Sequence, residues 1–259
     1  MSFIDHWIHL PAGRLFVREW PGAAADAPPP LVLLHDSLGS VELWRDFPAR
    51  LREATGRRVI AYDRAGFGRS DARAEPPSFE FVAEEATTWF ARLREALGLD
   101  RFALLGHSVG GGMAVHIAAH HADACAALVT IAAQAFVEAR TLDGLRAARV
   151  SFAEPGALER LARYHGDKAP WVLAAWLDTW LDPAFAGWSL APVLPLVRCP
   201  VLALHGELDE YGSAAHPRLI GELAGGPATV RILPGAGHVP QREQPGDVVG
   251  RVAEFLATT

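Results

Sequence analysis

The segment Leu104-Leu105-Gly106-His107-Ser108-Val109-Gly110-Gly111-Gly112 decides the fold. It follows an apolar run, 102–105, and leads into a stretch of helical character. The pattern G-x-S-x-G is typical of a strand that turns sharply into a helix, with the serine at the tip of the turn. The strained backbone there requires small residues two positions before and after Ser108, and glycine stands at both. Such a turn exposes the serine hydroxyl and directs N–H groups of the helix start toward whatever that hydroxyl attacks.

Strands and helices alternate on both sides of this segment. Short, continuously apolar runs are typical of strands buried on both faces of a parallel sheet. Two flanking segments around Pro11-Ala12-Gly13 indicate an antiparallel hairpin. The predicted strands are 7–10, 14–20, 31–34, 59–62, 102–105, 126–131, 201–204 and 229–233. We therefore predict an α/β fold with a mostly parallel, eight-stranded sheet flanked by helices.

The alternation stops after the sixth predicted strand. From about residue 134 to 197 the pattern is mostly helical, with predicted helices at 137–152, 156–164 and 171–180. This block holds four of the eight tryptophans. We predict a core of residues 1–133 and 198–259, with residues 134–197 inserted as a helical cap.

Three residues that carry chemistry come just after predicted strands. Ser108 follows 102–105, Asp209 follows 201–204 and His238 follows 229–233. Functional residues of parallel sheets gather at the carboxyl ends of the strands. A serine hydroxyl is a weak nucleophile until a neutral histidine takes its proton, and a carboxylate orients that histidine. The sequence therefore predicts Ser108 as nucleophile, His238 as base and Asp209 as the orienting acid.

Five motifs in this order resemble the α/β-hydrolase superfamily, in its capped branch of small esterases, lactonases and meta-cleavage-product hydrolases. The resemblance covers nearly the whole chain. It implies an oxyanion hole formed by the backbone N–H groups of Ser37 and Val109. The motifs are His35-x-x-x-Gly39-Ser40, Asp63-Arg64-x-Gly66-x-Gly68-x-Ser70, Gly106-x-Ser108-x-Gly110, Gly206-x-x-Asp209 and Gly237-His238.

One position departs from the family pattern. Asp36 stands where the superfamily usually has glycine, and a carboxylate aimed into the site would oppose an oxyanion. Either Asp36 turns away toward a neighbouring loop, or it binds a cationic or hydroxyl group of a substrate. The aromatic residues of the insertion are expected to form its own small core and to line an apolar pocket. The candidate substrate contacts are Asp36, Phe136, Trp176, Trp180 and Trp188.

The predicted function is hydrolysis of a small to medium, largely apolar carboxylic ester, thioester or lactone through an acyl-enzyme. Hydrolytic C–C cleavage of a vinylogous diketone by the same residues stays open, as does perhydrolysis of the haloperoxidase type. A non-catalytic receptor that binds a small molecule on the same fold is the alternative from another class. Fold alone does not decide among them.

Composition and net charge restrict the classes of partner expected for this chain. The formal net charge is −6 and the pI about 6.0, which argues against nucleic acid and anionic membranes. No targeting segment or membrane-spanning run is evident, and the two cysteines are far apart in sequence, so we predict a cytoplasmic protein. No nucleotide or metal motif is complete, and no cofactor is expected. The expected partner is a small-molecule substrate, and a homodimer stays open.

Overall fold

The computed structural model describes residues 2–23 and 28–259. The Ala/Pro-rich stretch 21–30 predicts a loop, and residues 24–27 of it lie outside the described residues. The described chain contains one eight-stranded sheet in the order β1-β2-β4-β3-β5-β6-β7-β8. Its strands are β1 (Ile4–Leu10), β2 (Gly13–Trp20), β3 (Leu31–Leu34), β4 (Val59–Tyr62), β5 (Phe102–His107), β6 (Cys125–Ile131), β7 (Val201–Gly206) and β8 (Ala228–Leu233).

The sheet is mostly parallel, as predicted. The hairpin β1–β2 is antiparallel and β2 pairs antiparallel with β4, whereas every pairing from β4 to β8 is parallel. The carboxyl ends of the parallel strands therefore lie along one edge. The loops that follow β3, β5, β6, β7 and β8 emerge at this edge, where the candidate site forms.

Helices cover both faces of the sheet. In β3, Val32 and Leu34 belong to one apolar core, while Leu31 and Leu33 belong to the core on the opposite face. This alternation explains why the central strands are apolar throughout. The helices are α1 (Phe47–Thr55), α2 (Phe81–Glu84), α3 (Ala91–Ala96), α4 (Val109–His120), α5 (Ala139–Phe152), α6 (Ala157–His165), α7 (Ala169–Leu181), α8 (Ala215–Leu223), α9 (Pro240–Glu243) and α10 (Pro245–Leu256).

The amphipathic pattern of residues 79–97 predicts one long helix, but in the structure this helix is interrupted. Its ends are α2 and α3, and a π-helical turn, Glu85–Phe90, joins them. The wider turn accompanies a buried Glu85, whose carboxylate accepts a hydrogen bond of 2.6 Å from the Tyr62 hydroxyl. A wider turn of this kind often marks a functional region.

The helical insertion between β6 and β7 is attached to the core by polar contacts as well as by apolar packing. His165, at the end of α6, accepts a hydrogen bond from the Gly68 N–H at 2.9 Å and bonds the Leu38 carbonyl at 3.0 Å through its other ring nitrogen. Lys168 donates to the carbonyls of Phe67 and Ser70. These contacts hold α6 and α7 over the loops after β3 and β4.

Candidate active site

Ser108 has the strained backbone that its motif predicts. Its φ of 54° and ψ of −126° are rare for a residue with a side chain and cost on the order of 1–3 kcal/mol. The turn also brings backbones together: a Cβ on Gly106 would lie 2.2 Å from the Gly110 carbonyl oxygen, and one on Gly110 would lie 2.3 Å from that of Leu34. Only glycine fits at either position, so the motif describes the geometry of the turn.

Asp209 and His238 form a tight pair beside Ser108. The Nδ1 of His238 lies 2.9 Å from each carboxylate oxygen of Asp209. The Asp209 side chain is 0% exposed, and its Oδ1 also accepts the N–H groups of Tyr211 at 2.8 Å and Gly212 at 3.1 Å. The carboxylate is thereby fixed, and it holds Nδ1 of His238 as the donor, which leaves Nε2 as the nitrogen able to accept a proton.

The pair also shifts the acid–base properties of its members. Burial lowers the pKa of His238, but the Asp209 carboxylate outweighs burial and raises that pKa above its ordinary value. Burial raises the pKa of Asp209, but the bond to His238 and its charge outweigh burial, and the pKa falls below the usual range. Asp209 is therefore ionised at neutral pH, as an orienting acid has to be.

Ser108 has a second polar neighbour that sequence analysis missed. Its Oγ donates a hydrogen bond of 3.0 Å to Oε1 of Gln134, whose residue is 4% exposed. In this arrangement of the described side chains, Ser108 Oγ makes no hydrogen bond to His238. The position of Gln134 offered a signal, because Gln134 follows β6, the strand beside β5, at the same edge of the sheet.

Ser37 and Val109, whose backbone N–H groups are the predicted oxyanion donors, line two neighbouring cavities. Ser37 lines both cavities, and Val109 lines one of them at the start of α4. Neither N–H donates a hydrogen bond within the described residues. The first N–H groups of a helix have no partner inside it, so the Val109 N–H is free to bind an anion.

Hydrogen bonds to the loop after β4 fix the loop that carries Ser37. His35 accepts the Arg64 N–H at Nε2, 3.1 Å away, and its Nδ1 bonds the Asp36 carbonyl at 2.8 Å. Asp63 accepts the N–H groups of Val41 at 2.6 Å and of Arg69 at 2.7 Å. The motifs around His35 and Asp63 thus fix the loop after β3 against the loop after β4.

Asp36 turns toward a neighbouring histidine. Its Oδ2 lies 3.3 Å from Nδ1 of His107, and Nε2 of His107 lies 2.8 Å from the carbonyl oxygen of His238. Burial raises the pKa of Asp36, but His107 outweighs it and lowers the pKa well below the usual range. Asp36 and His107 together link the loops after β3, β5 and β8.

The pocket over Ser108 has a volume of about 550 Å³, part of which is open to solvent, and aromatic and aliphatic side chains form most of its wall. Trp176 and Trp180 line it, and so does Asp36. Phe136 and Trp188 do not: Phe136 stacks on His216 at 4.3 Å, and Trp188 stacks on Phe185 at 5.5 Å. The lining residues that sequence analysis did not single out are Leu38, Gln134, Thr141, Leu145 and Tyr211.

Metal clusters and membrane-spanning helices were both sought in the described residues, 2–23 and 28–259. No group of three or more metal-binding side chains is placed to hold an ion. No helix there is long and apolar enough to cross a membrane.

A family model for the α/β-hydrolase fold matches residues 29–191, which is more than half of the chain. This chain belongs to the α/β-hydrolase family. The matched residues include Ser37, Ser108 and Gln134, whereas Asp209 and His238 lie beyond them. The family match therefore covers the nucleophile turn. The pairing of Asp209 with His238 lies outside the matched residues and is observed in the structure.

One curated relative within this hydrolase family is named as a peptidase. The chain is 36% identical over 94 residues to proline iminopeptidase from Lactobacillus delbrueckii subsp. lactis, which is 36% of this chain and 32% of that relative. It thus spans about a third of the length of that curated relative.

Two solved structures share the fold. The enol-lactonase from Burkholderia xenovorans LB400 superposes with a TM-score of 0.74 at 22% identity, over 97% of this chain and 100% of that one. The naproxen esterase from Bacillus subtilis has a TM-score of 0.75 at 20% identity, over 98% and 92%. Identity this low shows the fold alone.

Proposed function

We propose that this hydrolase is a serine esterase that cleaves a small to medium, largely apolar carboxylic ester, thioester or lactone through an acyl-enzyme. The observation that carries the proposal is the Asp209–His238 pair, with Nδ1 of His238 2.9 Å from both carboxylate oxygens and His238 in the wall of the pocket that holds Ser108. The nucleophile turn and the free N–H groups of Ser37 and Val109 support it. Named relatives include an esterase and a lactonase, and also a peptidase.

The proposed reaction begins with Ser108 leaving Gln134. Rotation of its side chain brings the hydroxyl to Nε2 of His238, which takes the proton as Oγ attacks the carbonyl carbon. The N–H groups of Ser37 and Val109 hold the oxyanion, and each donor of this kind contributes on the order of 3 kcal/mol. His238 then protonates the leaving alcohol, thiol or lactone oxygen. A water, deprotonated by His238, attacks the acyl-enzyme, and Ser108 regains its proton as the acid leaves.

The walls of the pocket support an apolar substrate. Trp176, Trp180 and Leu145 come from the insertion, so we propose that residues 134–197 act as a cap that closes over the acyl group and excludes water. The charged side chain in this wall, Asp36, is paired with His107. That pairing weakens the case for a cationic substrate such as a peptide with a free amino terminus.

A substrate panel tests the proposal. Its members are 4-nitrophenyl esters of increasing acyl length, an aliphatic lactone, a prolyl 4-nitroanilide and a dienoic diketone. We expect turnover of esters or the lactone, lost in Ser108→Ala. Turnover of the anilide or the diketone alone would reject the ester assignment. Saturable binding of these compounds with no turnover of any would reject an enzyme and favour a receptor.

We also propose a cytoplasmic location. Cys125 and Cys199 are both buried free thiols, with their sulfur atoms 3.7 Å apart. In an oxidising compartment two thiols this close would be expected to form a disulfide, so their free state supports a reducing compartment. Fractionation of cells that produce the chain, with detection by antibody, tests this location.

A further inference from the structure

A second cavity adjoins the pocket over Ser108. The two share Ser37, Trp176 and Trp180 in their walls, and Val109 lines the second one. We call it the arginine pocket, because Arg64 and Arg73 both line it; it has a volume of about 480 Å³, part of which is open to solvent. Both proposed oxyanion donors belong to its wall. An acyl group whose carbonyl oxygen rests on these donors can therefore extend into the arginine pocket.

Arg64 is a buried cation with unused hydrogen-bonding capacity. The residue is 5% exposed, and its Nη2 donates to the Asp36 carbonyl at 2.9 Å. Its Nε is buried without a partner, and no carboxylate of the described residues lies within 4.0 Å of the guanidinium. Burial lowers the pKa of Arg64, although the group stays charged at neutral pH. A buried charge without an ion-pair partner is costly, and an anion in the cavity would offset that cost.

Arg73 is the second cation of the arginine pocket. It lies in the loop after β4, half-buried, with its guanidinium 5.9 Å from the rings of Trp89 and of Trp171. It forms no salt bridge with any carboxylate in the described part of the chain. The guanidinium itself lies near the two aromatic rings, and its fork of N–H donors is left for a ligand.

Two carboxylates line the same cavity, and hydroxyl groups engage both. Tyr62 donates to Glu85 at 2.6 Å, and Ser78 donates to Glu84 at 2.6 Å. Burial raises the pKa of Glu85, and the nearby charges of Arg64 and Arg73 act against that rise. Because neither carboxylate lies within 4.0 Å of a guanidinium, the two arginines keep donors that can form a charge-assisted, bidentate bond to a ligand carboxylate.

We propose that the arginine pocket binds a carboxylate on the acyl part of the substrate, so that the preferred substrates are half-esters or half-thioesters of dicarboxylic acids. The proposal rests on the proposed esterase function and names its substrate class. The acyl carbonyl lies on Ser37 and Val109, the chain passes Trp176 and Trp180, and the distal carboxylate meets Arg73 and Arg64. The mostly apolar pocket over Ser108 then takes the leaving group.

Kinetics on two matched esters test the substrate class. The 4-nitrophenyl half-ester of glutaric acid and the 4-nitrophenyl ester of valeric acid share a five-carbon acyl chain and differ in the terminal carboxylate. We expect kcat/KM to be about tenfold or more higher for the half-ester, since a hydrogen bond to a charged group carries at least that factor. In Arg73→Met the ratio of the two kcat/KM values should fall to about one. Equal kcat/KM for the two esters would overturn the proposal.

The test uses Arg73 and not Arg64, because Arg64 also donates to the Asp36 carbonyl and its loss would disturb that loop. Arg146→Met is the matched control: Arg146 is exposed on α5 and pairs with Asp143 at 2.7 Å, away from both cavities. It should leave the preference for the half-ester intact. Loss of the preference in Arg146→Met as well would show a general charge effect and reject the arginine pocket.

Binding without turnover separates this proposal from the esterase proposal. Calorimetry with glutarate on Ser108→Ala, and on the same variant with Arg73→Met, measures the arginine pocket alone. We expect glutarate to bind the first and to bind the second at least about tenfold more weakly. If glutarate binds in this way but the native chain hydrolyses neither ester, the anion site is supported and the esterase function is rejected. Glutarate affinity that is absent, or unaffected by Arg73→Met, would reject the anion site whatever the esterase activity.

Discussion

Two Asp–His pairs lie side by side at the candidate site, and they differ in what the second ring nitrogen contacts. In the first, Asp209 holds Nδ1 of His238 at 2.9 Å, and Nε2 is left for a reacting proton. In the second, Asp36 lies 3.3 Å from Nδ1 of His107, but Nε2 of His107 is already engaged by the His238 carbonyl at 2.8 Å. The same two residue types thus produce one pair that can exchange a proton and one that links loops.

The comparison shows that residue type and proximity do not define a catalytic pair. His107 contacts neighbours through both nitrogens, so it stabilises the position of His238 and has no free nitrogen for a substrate. It is therefore a positioning residue in this account. The pairs are also coupled, because the charge of Asp36 adds to that of Asp209 in raising the pKa of His238.

The largest expected difference between the pairs is in turnover. Asp209→Asn should lower kcat by about 10⁴-fold, because an amide no longer fixes the tautomer of His238 or stabilises its protonated form. Asp36→Asn should lower kcat by about tenfold or less. Steady-state kinetics on one ester compares the two. A similar loss in both variants would contradict the division of roles.

The pair of Asp36 and His107 should contribute more to the free energy of unfolding than to turnover. His107→Ala removes the bonds to Asp36 and to the His238 carbonyl from a buried position and leaves a cavity, so we expect a loss of about 2–4 kcal/mol of unfolding free energy. Urea denaturation followed by circular dichroism measures it. His9→Ala, at an exposed position in β1, is the control and should change stability by less than about 0.5 kcal/mol.

Gln134 tests whether the resting nucleophile is held away from its base. Gln134→Ala removes the acceptor of the Ser108 hydroxyl, and acylation should become about two- to tenfold faster, because a neutral hydrogen bond of this size no longer has to be broken. Gln134→Glu keeps an acceptor and adds a charge, so acylation should be slower than in the native chain. Stopped-flow measurement of the burst with a 4-nitrophenyl ester follows the step. Slower acylation in Gln134→Ala would instead mean that Gln134 helps to orient the substrate.

The pH profile should show the smallest effect. His238 has to be neutral to act as base, and its pKa is raised, so kcat/KM should increase with pH through a midpoint above the ordinary histidine value of about 6.5. Asp36→Asn removes one of the charges that raise this pKa and should move the midpoint to lower pH. Asp143→Asn, exposed on α5, should leave it in place. A midpoint that moves upward in Asp36→Asn would contradict the coupling of the two pairs.

The fold could be predicted because its signals are local. Apolar runs mark the buried strands, and the small residues around Ser108 are required because a Cβ on Gly106 would lie 2.2 Å from the Gly110 carbonyl oxygen. Asp209 and His238 could be named because their positions after β7 and β8 place them at the same edge as Ser108. The π-helical turn was missed, because it accommodates Glu85 beneath Tyr62, a contact between distant segments.

The walls of the pocket were harder to predict, because side-chain packing decides them. Trp180 and Trp188 both lie near α7 and both are aromatic, yet Trp180 lines the pocket and Trp188 stacks on Phe185. Tyr211 lines the pocket because the loop after β7 passes under α5, where its carbonyl accepts the Thr141 hydroxyl at 2.7 Å. Neither outcome is encoded in spacing along the chain.

The most direct test of the account is covalent labelling of Ser108 by a fluorophosphonate, measured by intact mass on the native chain, Ser108→Ala and Asp209→Asn. The probe needs an activated serine and an oxyanion hole but little substrate recognition. We expect one label per native chain, none on Ser108→Ala and much slower labelling of Asp209→Asn. A folded native chain that stays unlabelled, or a label that persists in Ser108→Ala, would contradict the assignment of Ser108 as the nucleophile activated by His238 and Asp209.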